Sequence, residues 1–255
     1  MSGKVFLIGA GPGDPELMTV RALRMLREAD VVVYDRLVSD EILSMHTEGA
    51  RLIPVGKAPK CHTVPQDRIN EILLEQARAG HTVARLKGGD PMIFGRGSEE
   101  AAYLMGHGVA VAYAPGITAA QGASCSTGVP LTHRGLATSV QYVTGHRQAD
   151  KVLDLDWKRL ADPESTLVVY MGVANIGQIA IGLMTENLPG GTPVLAVGKA
   201  TTPDEFRMVS RLDRLATDVR DAGLTTPTLF IIGRVVSLYQ DQPVADLLDQ
   251  VQAHA

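Results

Sequence analysis

The sequence predicts an α/β protein built as two domains, with largely parallel sheet. Three observations carry that expectation. Short runs of branched apolar residues alternate with helix-length amphipathic stretches, the pattern of strand–helix units that lay strands side by side in parallel. Glycine-rich turns follow several of the runs, as at Gly9-Ala10-Gly11-Pro12-Gly13 and Gly88-Gly89. Ala114-Pro115-Gly116 interrupts the alternation near mid-chain and is the best hinge, giving an N-terminal domain 1–114 and a C-terminal domain 115–255.

Each element has a local reason. Val5-Phe6-Leu7-Ile8 is too short and too β-rich for a helix and reads as a buried strand. After the glycine turn, Asp14 reads as a helix N-cap with Pro15 at the first helical position. Leu17, Val20, Leu23 and Leu26 then recur at three-residue steps as an apolar stripe. Val31-Val32-Val33-Tyr34 is a second strand, ending at Asp35. Pro65 opens a helix with Ile69, Ile72 and Leu73 on one face and Gly80 as its stop. Thr82 to Leu86 is a β-type run. Ser98, Glu99 and Glu100 begin the next helix, and acids in a first turn suit its dipole. Val109 to Tyr113 is the last strand of the first half. In the second half, strands are expected at Ser139–Val143, Thr166–Tyr170, Pro193–Val197 and Thr228–Ile232, with a helix around Asn175 to Glu186. A helical tail falls within 241–255.

Composition narrows the function classes. Hydrophobic residues at 45% and charged residues at 20% describe an ordinary globular protein. The net charge is −4 and no lysine- or arginine-rich run occurs, which argues against a nucleic-acid partner. Cys61 and Cys125 stand far apart in no metal-ligand spacing, so a reduced, cytoplasmic protein is expected. No apolar run is long enough for a bilayer, and no signal peptide or membrane partner is expected.

The densest segment for chemistry runs from Arg85 to Gly97. Glycines let a backbone come close to a ligand, Asp90 offers a carboxylate fixed by Pro91, and Arg96 presents a planar fork for a carboxylate. Gly9 to Asp14 lacks the third glycine of a dinucleotide fingerprint, and Pro12 removes an amide that a pyrophosphate would use. A plain strand-to-helix turn remains the alternative there. Asp35-Arg36 closes a strand at the edge where ligands sit in open α/β sheets; the alternative is a solvated ion pair. Lys57 has the same placement after Leu52-Ile53 and would otherwise be a surface lysine. His133-Arg134 and His146-Arg147, with Arg96, suit a ligand bearing several carboxylates. No carboxylate or cysteine falls at ligand spacing from either histidine, so no metal is expected. Ser124-Cys125-Ser126 lacks a nucleophile elbow. Trp157, Asp154 and Asp156 read as structural.

Taken together, these motifs resemble the class III tetrapyrrole methyltransferases. The resemblance rests on Ile8 to Pro15, Tyr34 to Val38, Leu86 to Gly97, Pro115 to Ala119, Pro130 to Arg134, Val143 to His146 and Val169 to Gly172, in that order. Within that family, the combination matches members acting on uroporphyrinogen III. It implies two α/β domains with a cofactor cleft between them, a homodimer, and S-adenosyl-L-methionine as methyl donor, leaving S-adenosyl-L-homocysteine. The implied reaction methylates carbons 2 and 7 of uroporphyrinogen III, giving precorrin-2 via precorrin-1, on a route to sirohaem, cobalamin or haem d1. The implied cofactor contacts are Pro12, Gly88, Gly89, Asp90, Ile93, Thr118, Ala119, Met171 and Ala200. Asp35 is implied as proton acceptor and Lys57 as proton donor, or as a carboxylate anchor. Arg96, Glu99, Arg134 and His146 are implied to meet the tetrapyrrole, Arg96 also as a polarising group. The chain departs from the family pattern at Ala58, Met92, Gly198-Lys199 and Phe206. The rival readings are a methyltransferase of the same fold acting on a later precorrin and, disfavoured by the charge pattern, an RNA methyltransferase.

Overall fold

A computed structural model describes residues 3–56, 64–146 and 153–240. The chain divides into two compact units, Met1–Ala119 and Ala120–Ala255. The division falls a few residues past the hinge expected at 114/115.

The first unit runs β1 (Lys4–Gly9), α1 (Val20–Arg27), β2 (Val31–Tyr34), α2 (Asp40–Leu43), β3 (Arg51–Pro54), α3 (Gln66–Arg78), β4 (Thr82–Lys87), α4 (Gly97–Gly106) and β5 (Ala110–Ala114). Its sheet has the order β3-β2-β4-β1-β5, and every pairing is parallel. β1 and β2 are near-continuous apolar runs because both faces are covered. Phe6, Ile8, Val32, Ala84 and Leu86 pack on Ala22, Met25 and Leu26 of α1. Val5, Leu7, Val31, Val33 and Val83 pack on Ile69, Leu73 and Leu74 of α3 and on Ala101 and Leu104 of α4.

The second unit runs α5 (Ala119–Thr127), β6 (Ser139–Thr144), α6 (Trp157–Leu160), β7 (Ser165–Tyr170), α7 (Ile176–Thr185), β8 (Pro193–Gly198), β9 (Phe206–Arg211), α8 (Leu215–Asp221) and β10 (Thr228–Ile232). The strand order is β6-β7-β10-β8-β9. One face of the sheet packs on α7 and α8, the other on Ala120 and Ala123 of α5. Trp157 lies over Gly182 of α7, the structural role expected of it; a Cβ there would stand 2.6 Å from its ring.

Two expectations are corrected. Among the described residues, only β6–β7 is parallel in the second sheet; β10 is antiparallel to β7 and β8, and β8 to β9. The β8–β9 connection, residues 199–205, is too short for the crossover that parallel neighbours need. Asp14 caps a 3₁₀ turn, Pro15–Leu17, and not the helix. The helix restarts at Thr19, whose hydroxyl accepts from the Ala22 amide at 3.1 Å. The restart shifts the phase, so Ala22, Met25 and Leu26 are buried while Val20 is 87% exposed. Glu99 and Glu100 lie in the first turn of α4 as expected, and Glu100 is fully buried. The expected tail helix lies outside the described residues. No described helix is long and apolar enough to cross a membrane.

Candidate active site

An all-parallel sheet sends every strand out at one edge, and ligands collect there. In the first unit that edge gathers the loop 10–14 after β1, Asp35 after β2, Val55-Gly56 after β3, Gly88-Gly89-Asp90 after β4 and Pro115–Thr118 after β5. Lys57 lies outside the described residues. The loops meet backbone to backbone. The Ala10 amide donates to the Lys87 carbonyl at 2.8 Å, and Gly11 and Gly89 exchange a pair of bonds at 3.2 and 2.6 Å. A Cβ on Gly116 would stand 2.1 Å from the Gly89 carbonyl oxygen, and one on Gly9 would stand 2.4 Å from the Gly116 nitrogen. Glycine is therefore required by close approach at Gly9 and Gly116, and at Gly89 by φ 67°.

Asp90 ties this arrangement together. One carboxylate oxygen accepts from the Met92 amide at 2.8 Å and the other from the Gly116 amide at 3.0 Å. The β4 and β5 loops are thus clamped, and each oxygen keeps a further lone pair for a ligand. Beside the clamp lies an open cavity of about 270 Å³ lined by Asp90, Pro91, Met92, Tyr113, Ala114 and Pro115. Ile93, 36% exposed, borders solvent next to it in sequence, and Thr118 is buried.

The chain turns into α4 under strain. Phe94 and Arg96 take positive φ, 51° and 58°, where side chains are disfavoured. The exposed Arg96 fork closes on Glu99 through Nε–Oε1 at 3.1 Å and Nη2–Oε2 at 2.6 Å. That hydrogen bond holds the Glu99 carboxyl below its usual range. The carboxylate side of a bidentate pair is thereby supplied from within the chain. At the end of β2, Asp35 accepts from the Leu37 amide at 3.0 Å through one oxygen. Its other oxygen stands 3.7 Å from Nη2 of Arg85.

In the second unit, β6, β7 and β8 point the same way, so His146, Met171 and Ala200 follow strand ends on one edge. Met171 takes φ 52° and is 44% exposed, while Ala200 is buried. The Gly145 amide donates to the Tyr170 carbonyl at 2.7 Å, which joins the ends of β6 and β7. The Tyr170 hydroxyl accepts from the Ala120 amide at 3.2 Å, at the start of α5. Arg134 is not on this edge: it sits in the exposed turn 133–137 that leads into β6 from the other end.

A sequence profile of the tetrapyrrole (corrin/porphyrin) methylases matches residues 4–216. The chain belongs to this family. Among its relatives, the uroporphyrinogen-III C-methyltransferase of Paracoccus denitrificans is 55% identical over 94% of this chain and 83% of its own length. The siroheme synthase of Methylococcus capsulatus is 48% identical over 92% of this chain, but the chain spans only 50% of that protein. A crystal structure of uroporphyrin-III C-methyl transferase from Thermus thermophilus, complexed with S-adenyl homocysteine, superposes with a TM-score of 0.78 at 42% identity, covering 93% of this chain and 100% of that one.

This tetrapyrrole methylase also carries charged groups that sequence reasoning missed. Arg85 and Lys87 occupy the α3/α4 face of central strand β4, and both are buried. Both donate to Oε1 of Glu100, at 3.3 and 3.0 Å, and Gln66 adds a third donor at 3.1 Å. Burial, followed by the nearby Arg85 charge, pushes the Lys87 ammonium below the usual lysine range, against the pull of Glu100. The signal was present: two cations at i and i+2 within an otherwise apolar central strand need a buried counter-charge. Among the described residues, no cluster of histidine, cysteine or carboxylate is arranged for a metal ion.

Proposed function

We propose that this methylase is an S-adenosyl-L-methionine-dependent uroporphyrinogen-III C-methyltransferase, adding methyl groups at carbons 2 and 7 to give precorrin-2 through precorrin-1. The observation that carries the reading is the 55% identity, over nearly the whole chain, to a relative of that activity. The glycine clamp supports it. Gly9, Gly89 and Gly116 keep the loop backbones bare of side chains beside an open cavity, a fit for a ligand recognised by main-chain groups. In the first unit the proposed cofactor contacts are Pro12, Gly88, Gly89, Asp90, Ile93, Thr118 and Ala119. In the second they are Met171 and Ala200. The resemblance further supports a homodimer in the cytoplasm.

The cofactor supplies, when bound, a methyl group already activated on a sulfonium. Two roles are left to the protein. It aims a pyrrole carbon at that methyl in line and at near-attack distance, and it disposes of the proton lost after the new carbon–carbon bond forms. Asp35 is assigned the second role, because it stands at a strand end with one oxygen fixed by the Leu37 amide. Arg96 is assigned to anchoring, since a guanidinium hardly deprotonates. It engages a substrate carboxylate in place of, or alongside, Glu99. His146 and Arg134 are assigned further carboxylates, and Lys57 a proton or a carboxylate.

Incubation with S-adenosyl-L-methionine and uroporphyrinogen III, followed by mass analysis, tests the reading. A gain of one and then two methyl masses is expected. No gain, with methylation of a later precorrin instead, would move the activity along the corrin route.

A further inference from the structure

The roles assigned so far use the rim of the first sheet and leave its charged interior unexplained. Glu100 is 0% exposed, yet it sits on a core face among valines and leucines. Replacing a buried ion group by well-packed apolar residues is often neutral or stabilising, so stability alone does not account for Arg85, Lys87 and Glu100. Their geometry gives another reason for them. Oε1 of Glu100 takes Nε of Arg85, which fixes the guanidinium plane. The same guanidinium donates to the Leu86 carbonyl at 3.3 Å and the Val33 carbonyl at 3.5 Å, locking it across β2 and β4. Its Nη2 then faces Asp35 Oδ2 at 3.7 Å. Asp35 Oδ1 is already committed to the Leu37 amide. One carboxylate oxygen is therefore set by a turn and the other by a buried cation that Glu100 holds in place.

We propose that Glu100 is a positioning residue for Asp35, acting through Arg85 to keep that carboxylate aimed from the end of β2. The proposal rests on Asp35 being the proton acceptor. It gives Lys87 a part as well. With Lys87, the group holds two cations against two carboxylates, the buried Glu100 and the partly exposed Asp35, so Arg85 is shared between them. Removing the Glu100 charge leaves both cations turned on Asp35 alone, and the guanidinium plane loses its anchor.

The test is a double-mutant cycle on the full chain, reading steady-state methyl transfer from S-adenosyl-L-methionine to uroporphyrinogen III. Glu100→Gln is expected to lower kcat by about 10- to 100-fold, the scale of a misaimed group, with KM for both substrates unchanged. In an Asp35→Asn background the same substitution is expected to cost nothing further, because the two residues act as a unit. Equal losses in both backgrounds, or a raised KM with kcat intact, would sink the positioning role. If Glu100→Gln fails to fold in a melting experiment, Arg85→Lys enters the same cycle, keeping the charge and losing the fork. Parental turnover in Asp35→Asn would remove the base reading itself. A slow Asp35→Asn with an additive Glu100→Gln would overturn the positioning role alone.

Discussion

Arg96 combines two unusual properties in one residue: a left-handed backbone at the start of α4 and a guanidinium closed on Glu99. The two separate by substitution. Arg96→Ala removes the fork and leaves the strain. It is expected to lower kcat/KM by about 100-fold or more while S-adenosyl-L-homocysteine affinity, read by calorimetry, stays unchanged. Arg96→Gly removes the same fork and relieves a backbone cost of about 1–2 kcal/mol, so it is expected to be equally inactive and to melt higher than Arg96→Ala. Equal loss of cofactor affinity would reassign Arg96 to the cofactor or the fold. Titration adds a check. The Arg96 hydrogen bond depresses the Glu99 carboxyl below its ordinary 4.5. Such a bond stabilises the fold above the unfolded value and is lost as pH falls through the folded one. In Arg96→Ala the Glu99 carboxyl, followed by NMR, is expected to titrate closer to 4.5. The stability change is small, because both groups are exposed. Loop residues such as Gly89, Asp90 and Arg96 were legible because glycines and charges cluster there in the sequence. Glu100 was not, because nothing local separates it from its solvated neighbour Glu99; burial is a property of the packed helix.

At the level of elements, the clamp between the β1, β4 and β5 loops makes a demand on its glycines that a helix end does not. Gly116→Ala drives a methyl group into the Gly89 carbonyl and is expected to cost about 1–3 kcal/mol and to weaken cofactor binding. Gly106, the last residue of α4, has open space within 4 Å of where a Cβ would stand, and its φ is not positive. Gly106→Ala is therefore expected to stabilise by roughly 0.4–1 kcal/mol, with activity unchanged. Chemical denaturation of the two variants checks both signs. Buried strands were legible as apolar runs, and β2 and β10 keep their expected ends. The strand β9, with the pattern Phe206-Arg207-Met208-Val209-Ser210-Arg211, escaped notice because charge and apolar residues mix in an edge strand. The direction of the second sheet was hidden because alternation of elements does not fix which strands become neighbours.

For the molecule as a whole, the charge balance sets a kinetic expectation. The chain carries a formal −4, and the proposed substrate carries eight carboxylates. Attraction must then come from a few placed cations acting against the overall field. Raising ionic strength from about 0.01 to about 0.15 M shortens the screening length from roughly 30 to roughly 8 Å. KM for uroporphyrinogen III is expected to change with salt, while KM for the cofactor stays nearly constant; equal responses would argue against cationic anchoring. Two α/β units were legible from the strand–helix rhythm and the Pro-Gly interruption, whereas the place where the chain passes from one to the other was not. Asp90 explains why. By accepting from the Gly116 amide, it holds the segment after β5 on the first unit. The consequence reaches protein engineering. A gene split after residue 114 would separate Asp90 from Gly116 and leave the β4 loop without its clasp. A split at 119/120 keeps both partners on one fragment, and that is where two-piece reassembly of this enzyme should be attempted.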